Sequence, residues 1–178
     1  TGITAKWETG TKTHVRGDVM ATFSSRGPGT DFIKPDVTAP GLQILAGNTP
    51  EPTDVAAGPP GQLYQIIAGT SMSSPHSAGA SALVKAAHPD WTPGQIKSAL
   101  MTSSVQNVLK EDGTKADPFD RGAGSIRANR ALQPTVTLDV PVEAYVASAA
   151  DPESRLDLNV PSIYVNPMPG GVATTRTV

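Results

Sequence analysis

The chain has 178 residues, a formal net charge of −2 and no cysteine. The near balance of 14 basic against 16 acidic residues argues against a nucleic-acid or membrane-surface partner, and the lack of cysteine excludes disulfides, thiolate metal sites and a cysteine nucleophile. With 17 glycines, 17 prolines and only 4% aromatic residues, many turns and a core of small and aliphatic side chains are expected. No run of about 18 apolar residues is present, so no transmembrane helix is expected. The chain opens on Thr1 and closes on "TTRTV", a strand pattern in progress, so both ends read as cuts through a longer protein.

In chain order, "ITAKWE" alternates apolar and polar residues and suggests a first strand. "DVMATFSSRGPG" follows; Val19, Ala21 and Phe23 alternate into a glycine-proline loop. The prolines of "KPDVTAPG" restrict the residues before them to extended conformations. "LQILAG" at 42–47 and "LYQIIAG" at 63–69 read as short buried strands, with a surface loop at 48–61 between them. Residues 71–87 then switch to a helical pattern, capped by Ser71 or a close neighbour, with Pro75 near enough to the start to be tolerated. The middle of this helix is all small residues, which suits close packing on a sheet.

A second helix starts at Thr92 as cap and Pro93 as first helical residue, with Ile96, Leu100 and Met101 on its core face. "FDRGAGSIRANRAL" gives a glycine turn and a short third helix near 127–132. Alternating short strands and helices indicate an α/β layer with a mainly parallel sheet. After Pro134 the character changes. "TVTLDV" alternates like a strand, 141–155 has the composition of a linker, and "LDLNVPSIYV" and "VATTRTV" read as strands with no helix between them. Three stretches result: 1–133, a connecting strand and linker at 134–154, and the start of an all-β unit at 155–178.

The stretch "AGTSMSSPH" at 68–76 carries the chemistry. A serine before a helix is most often only a cap. Here a short strand, a glycine turn, Ser71 and a helix follow in that order, so the serine would sit among unpaired backbone N–H groups and a partial positive charge. Such a helix end can hold an oxyanion, and the serine would still need a base. The segment is not Gly-x-Ser-x-Gly, because Ser73 stands at the second glycine position, nor Ser-x-x-Lys, because Ser74 stands at the lysine position.

"GTSMSSPHSAGASALV" resembles the nucleophile segment of the subtilisin-like serine proteases, the subtilases, at each fixed position of Gly-Thr-Ser-Met-small-small-Pro-His. "FSSRGP" and "KPDVTAPG" before it, and "HPDWTPGQIKSALMTSS" and "DPFDRGAGSIRANRAL" after it, resemble family segments in the family's order. "LDLNVPSI" and "TTRTV" look like the start of the fibronectin type III-like sandwich of large members. The resemblance implies a three-layer subtilisin-like fold and peptide hydrolysis through an acyl-enzyme on Ser71. It also implies that the Ser71 N–H is one oxyanion donor, that Thr70 shapes the turn, and that a His base is oriented by an Asp. A polypeptide substrate, secretion and no cofactor for the chemistry follow, with calcium left open for the full-length protein.

The remaining triad members are not found. On one helix, five positions turn roughly 500°, which puts His76 about 140° away from Ser71. His88 reads as a turn residue near a helix C-terminus, and His14, in "THVRGD", does not match the family's His-Gly-Thr. Asp36 and Asp112 do not match Asp-Ser/Thr-Gly, and Asp112 follows the serine, against the family order Asp, His, Ser. Both partners, with most of the substrate pocket, are expected upstream, in the N-terminal half of the same domain. The 178 residues alone are therefore expected to be inactive, poorly folded, and covered on one side only of helix 71–87. "FSSRGP" reads either as a substrate-side loop near the site or, the favoured reading, as a structural turn tethered by Arg26. Asp31, Asp36, Asp54 and Asp117 suggest calcium by family habit only, with no ligand-loop spacing. The rival readings are a non-catalytic subtilase-like binding or scaffold module, and a nicked protein whose other half is a separate chain.

Overall fold

The computed structural model describes residues 2, 4, 6, 9–10, 15–28, 32–168 and 170–178. The alternation in "ITAKWE" falls outside the described residues except at Thr4 and Lys6, and His14 and Asp31 lie outside them entirely.

Strands β1 (Ile44–Gly47) and β2 (Tyr64–Ile67) pair antiparallel, Ile44 opposite Ile67 and Gly47 opposite Tyr64. The loop 48–63 joins them and holds a 3-10 turn at Val55–Ala57, capped by the Asp54 side chain. Both strands fall where the sequence puts them, but they are not buried. Leu45, Tyr64 and Ile66 are each about two-thirds exposed. Among the described residues the regular ladder is this antiparallel pair, and the expected mainly parallel sheet is not seen in them. Parallel pairing is present only as single bridges, Val19 with Leu109 and Thr38 with Ser125. A parallel ladder needs neighbours along the whole strand, and these segments touch a partner at one residue each. The 19–23 stretch accordingly turns Met20 inward, against Val108 and Ala116, and leaves Val19 and Phe23 outside.

Helix α1 (Thr70–Ala87) is capped by Gly69 without a side-chain bond, so Ser71 is its second residue and not its cap. Helix α2 (Pro93–Thr102) begins with the expected Thr92 cap and Pro93, reinforced by a reciprocal bond in which the Thr92 N–H donates to Gln95 Oε1. Helix α3 (Pro118–Arg121) is a single turn capped by Asp117, and α4 (Ala128–Ala131) is the short helix expected near 127–132. The glycine turn between them has a physical requirement. Gly122 sits at φ 62°, and a Cβ there would run into the carbonyls of Pro35 and Asp36.

The main core lies where α1, α2 and α4 meet. Ala80, Val84, Leu100 and Ala131 are buried there, with Trp91, Ile96, Ile126 and Leu132 packed around them. The small residues of α1 thus pack on helices, where a sheet was expected. The opposite side of α1 is open: Ala78, Gly79, Ala82 and Leu83 are exposed.

Residues 141–155, expected as a linker from composition, carry regular structure. Helix α5 (Val142–Ala150) and a 3-10 turn at Pro152–Asp157 occupy them. Four alanines in "VEAYVASAA" favour helix, and Tyr145 anchors it edge-on to Phe32 at 6.3 Å. "TVTLDV" forms no strand. Its Leu138 is buried and its amide donates to Ser98 Oγ of α2 at 2.9 Å. The segments expected as strands after 155 form no ladder either. Side chains tie them together: Asn159 Nδ2 donates to the Thr177 carbonyl, Thr177 N–H returns to Asn159 Oδ1, and Arg176 Nε donates to the Val160 carbonyl.

Candidate active site

Ser71 lies at the junction of β2, the turn 68–69 and α1. It is exposed, and among the described residues no group is hydrogen-bonded to its hydroxyl. As the second helical residue its N–H has no acceptor within α1, and neither has that of Thr70. Pro75 lacks the N–H that would otherwise bond the Ser71 carbonyl. A free hydroxyl and free amides therefore share one helix end, where the peptide dipoles favour negative charge.

The turn is held from outside. Gly69 N–H donates to the Gly41 carbonyl at 2.8 Å, and Ser73 Oγ donates to the Ala39 carbonyl at 2.9 Å. The loop 38–41 is itself fixed on its far side: Thr38 N–H donates to Gly124, and Ile126 N–H donates to Thr38. The sequence marked "KPDVTAPG" as a family segment without showing what it touches. Ser73, Ala39 and Gly41 were thereby missed as parts of the site, and the two "small" positions after Met72 gave no hint of a partner.

The histidines do not meet Ser71. His76 is on α1 and its Nδ1 donates to the Met72 carbonyl at 2.8 Å, within the same helix. His88 caps the end of α1, half-buried, stacked on Trp91 at 3.8 Å and donating through Nε2 to the Leu132 carbonyl at 2.7 Å. It is thus a link between α1 and α4, more than a surface turn residue.

The acids have structural partners. Asp36 bridges Lys34 at 2.6 Å and Lys97 of α2 at 2.9 Å. Burial alone would raise its carboxyl, but the bonds and charges of the two lysines outweigh that and hold it below the usual carboxylate range. Asp112 accepts from the Thr114 amide and hydroxyl in a surface turn. Asp54 and Asp117 cap short helices. Arg26 is the tether that its sequence context suggested. It reaches buried Asp120 at 2.7 Å, while Gly27 N–H donates to the Phe119 carbonyl, so "FSSRGP" is fastened to α3. Among the described residues no group of three or more His, Asp or Glu side chains converges as a metal site.

The arrangement is that of an exposed serine presented on a glycine turn at a helix end, with unpaired amides beside it and no histidine against it among the described residues. A model of the subtilase family matches residues 10–126. Subtilisin-like protease SBT1.4 of Arabidopsis thaliana is 46% identical over 72% of this chain and 18% of its own length. The CO(2)-response secreted protease of the same plant is 34% identical over 89% of this chain and 25% of its own. The solved structure of fervidolysin from Fervidobacterium pennivorans, a keratinolytic enzyme related to subtilisin, superposes with a TM-score of 0.49 at 28% identity, over 67% of this chain and 17% of that one. The chain belongs to the subtilase family. It spans between 18% and 25% of the length of these two curated relatives.

Proposed function

We propose that this chain carries the nucleophile of a subtilase-type serine endopeptidase, and that Ser71 is that nucleophile. The observation that carries the reading is the free Ser71 hydroxyl on the "GTSMSSPH" turn, beside the unpaired amides of the α1 N-terminus. Ser71 Oγ attacks the scissile carbonyl, a histidine takes its proton, and the oxyanion settles against the Ser71 N–H. The amine leaves with that proton, and water then hydrolyses the acyl-enzyme. No cofactor enters these steps.

The histidine, its orienting aspartate and most of the substrate pocket come from polypeptide outside these 178 residues, in the family order Asp, His, Ser. That polypeptide also covers the open side of α1 and the β1–β2 pair, completing a three-layer fold with a mainly parallel sheet. Residues 1–133 belong to the catalytic domain, 134–154 connect, and 155–178 open a fibronectin type III-like domain. The substrate is polypeptide, and the similarity to a relative named as secreted supports an extracellular setting.

The test compares the 178-residue chain with the full-length gene product on a chromogenic peptide. The full-length protein should release dye and lose that activity on Ser71→Ala, while the chain alone should release none. Loss of the histidine removes on the order of 10⁶-fold in turnover, a figure established on subtilisin, a member of this same family. Dye release by the chain alone that depends on Ser71 would overturn the division of the triad. An inert full-length protein would favour a non-catalytic subtilase-like module.

A further inference from the structure

Four serine or threonine hydroxyls within α1 and α2 bond back to the carbonyl four residues before them. Ser77 donates to Ser73, Ser81 to Ser77 and Thr102 to Ser98, and Ser103 at the end of α2 donates to Ala99. Ser73 does not. Its hydroxyl leaves the helix and donates to the Ala39 carbonyl, 34 residues away in sequence. Two residues further along that loop, the Gly41 carbonyl accepts from Gly69. The loop therefore holds the chain two residues before Ser71 and two residues after it, and leaves Ser71 untouched between the two bonds.

The fit at this point leaves no slack. A Cβ on Gly41 would strike Ser73 Oγ and come within 2.7 Å of the Gly69 carbonyl. The loop has a firm base, because Thr38 is bonded to Gly124 and Ile126 on its far side. Among the described residues the other side-chain bonds to the first turn of α1, His76 to the Met72 carbonyl and Ser77 to the Ser73 carbonyl, stay inside the helix; Gly69 offers no side-chain cap, and Pro75 interrupts the helical ladder at the Ser71 carbonyl.

We propose that Ser73 is a positioning residue for the Ser71 nucleophile: its bond to Ala39 closes a clamp with the Gly41–Gly69 bond and sets the direction of the Ser71 side chain. The proposal rests on Ser71 being the acylated residue. Without the Ser73 hydroxyl the Gly69 end stays tied while the Ser73 end is free to shift, so the nucleophile loses orientation relative to its base and to the helix amides. Misplacement of about 1 Å at a reacting group can lower a rate by roughly 100-fold. The loss falls on acylation and not on substrate binding, because Ser73 faces the loop behind the turn.

The test uses the full-length protein and a fluorophosphonate probe, with the rate of labelling at Ser71 followed by mass spectrometry and with kcat and KM measured on a peptide substrate. Ser73→Ala should lower the labelling rate and kcat by about 10- to 100-fold with KM nearly unchanged. Ser77→Ala, which removes a hydroxyl bonded inside the helix, should leave both unchanged. Should Ser73→Ala fold poorly, Ser73→Thr keeps the donor and should label faster than Ser73→Cys, which lacks a good one. Equal labelling rates in wild type and Ser73→Ala, or in the Thr and Cys variants, would overturn the positioning role alone. A full-length protein not labelled at Ser71 at all would overturn the proposed function, and this inference with it.

Discussion

The Gly69 amide and the Gly41 carbonyl meet at 2.8 Å, which brings the loop after Pro40 against the turn that presents Ser71. The contact leaves no room for a side chain at Gly41. Gly41→Ala would place a methyl against Ser73 Oγ and the Gly69 carbonyl. The loop or the helix start must then move. The expected cost is about 1–3 kcal/mol of stability, the usual size for overpacking. Urea unfolding of the full-length protein measures it, and an unchanged midpoint would mean that the loop is free to retreat.

Leu100 should matter more for stability than for chemistry. It is 5% exposed, in the core shared by α1, α2 and α4. Leu100→Ala removes buried methyl groups and leaves a cavity, for about 2–5 kcal/mol. Val84 and Ala131 beside it are too short to fill that space. Thermal unfolding should shift strongly, while the labelling rate of the folded fraction at Ser71 stays at the wild-type value.

Acid should destabilise the protein through Asp36 and Asp120. Burial pushes the Asp120 carboxyl up, but the Asp117 amide and the charges of Arg26 and Lys110 outweigh it, so its pKa lies below the ordinary value. Asp36 is depressed in the same direction by Lys34 and Lys97. A carboxylate depressed in the folded state adds stability that is fully present above its unfolded pKa of about 4 and is lost as pH falls through the folded value. Stability contributed by these groups should therefore be level from neutral pH down to about 5 and then fall. Arg26→Ala leaves Asp120 with Lys110 at 3.6 Å, and should move the falling limb to higher pH. A limb that does not move would show that Arg26 adds nothing to the folded state.

Much of the candidate site's geometry could be read from sequence because it is local. Ser71, the glycine turn and the helix follow one another within a few residues, and Thr92, Pro93 and Gln95 announce α2 in the same way. The clamp could not be read, because Ala39 and Ser73 are 34 residues apart and neither has an unusual side chain. Helix α5 was hidden for a different reason. Ala, Ser and acidic residues suit a linker by composition, yet alanine also favours helix, and the deciding contact of Tyr145 with Phe32 is long-range. The strands failed in the opposite direction. Alternation in 19–23 and 135–140 is a local signal, and a strand also needs a neighbour along its length. The exposed faces of Leu45, Tyr64 and Ile66 show the same point, since apolar residues in a short strand say nothing of what covers them.

The central claim is that Ser71 is an acyl-forming nucleophile, and covalent capture tests it most directly. The full-length protein is treated with a fluorophosphonate, digested, and the peptide containing "GTSMSSPH" is weighed and fragmented. One adduct is expected, on Ser71, absent from Ser71→Ala and slowed when pH is lowered through the range in which a histidine base is protonated. An unmodified Ser71 in folded full-length protein, or an adduct on Ser73 or Ser74 instead, would contradict it.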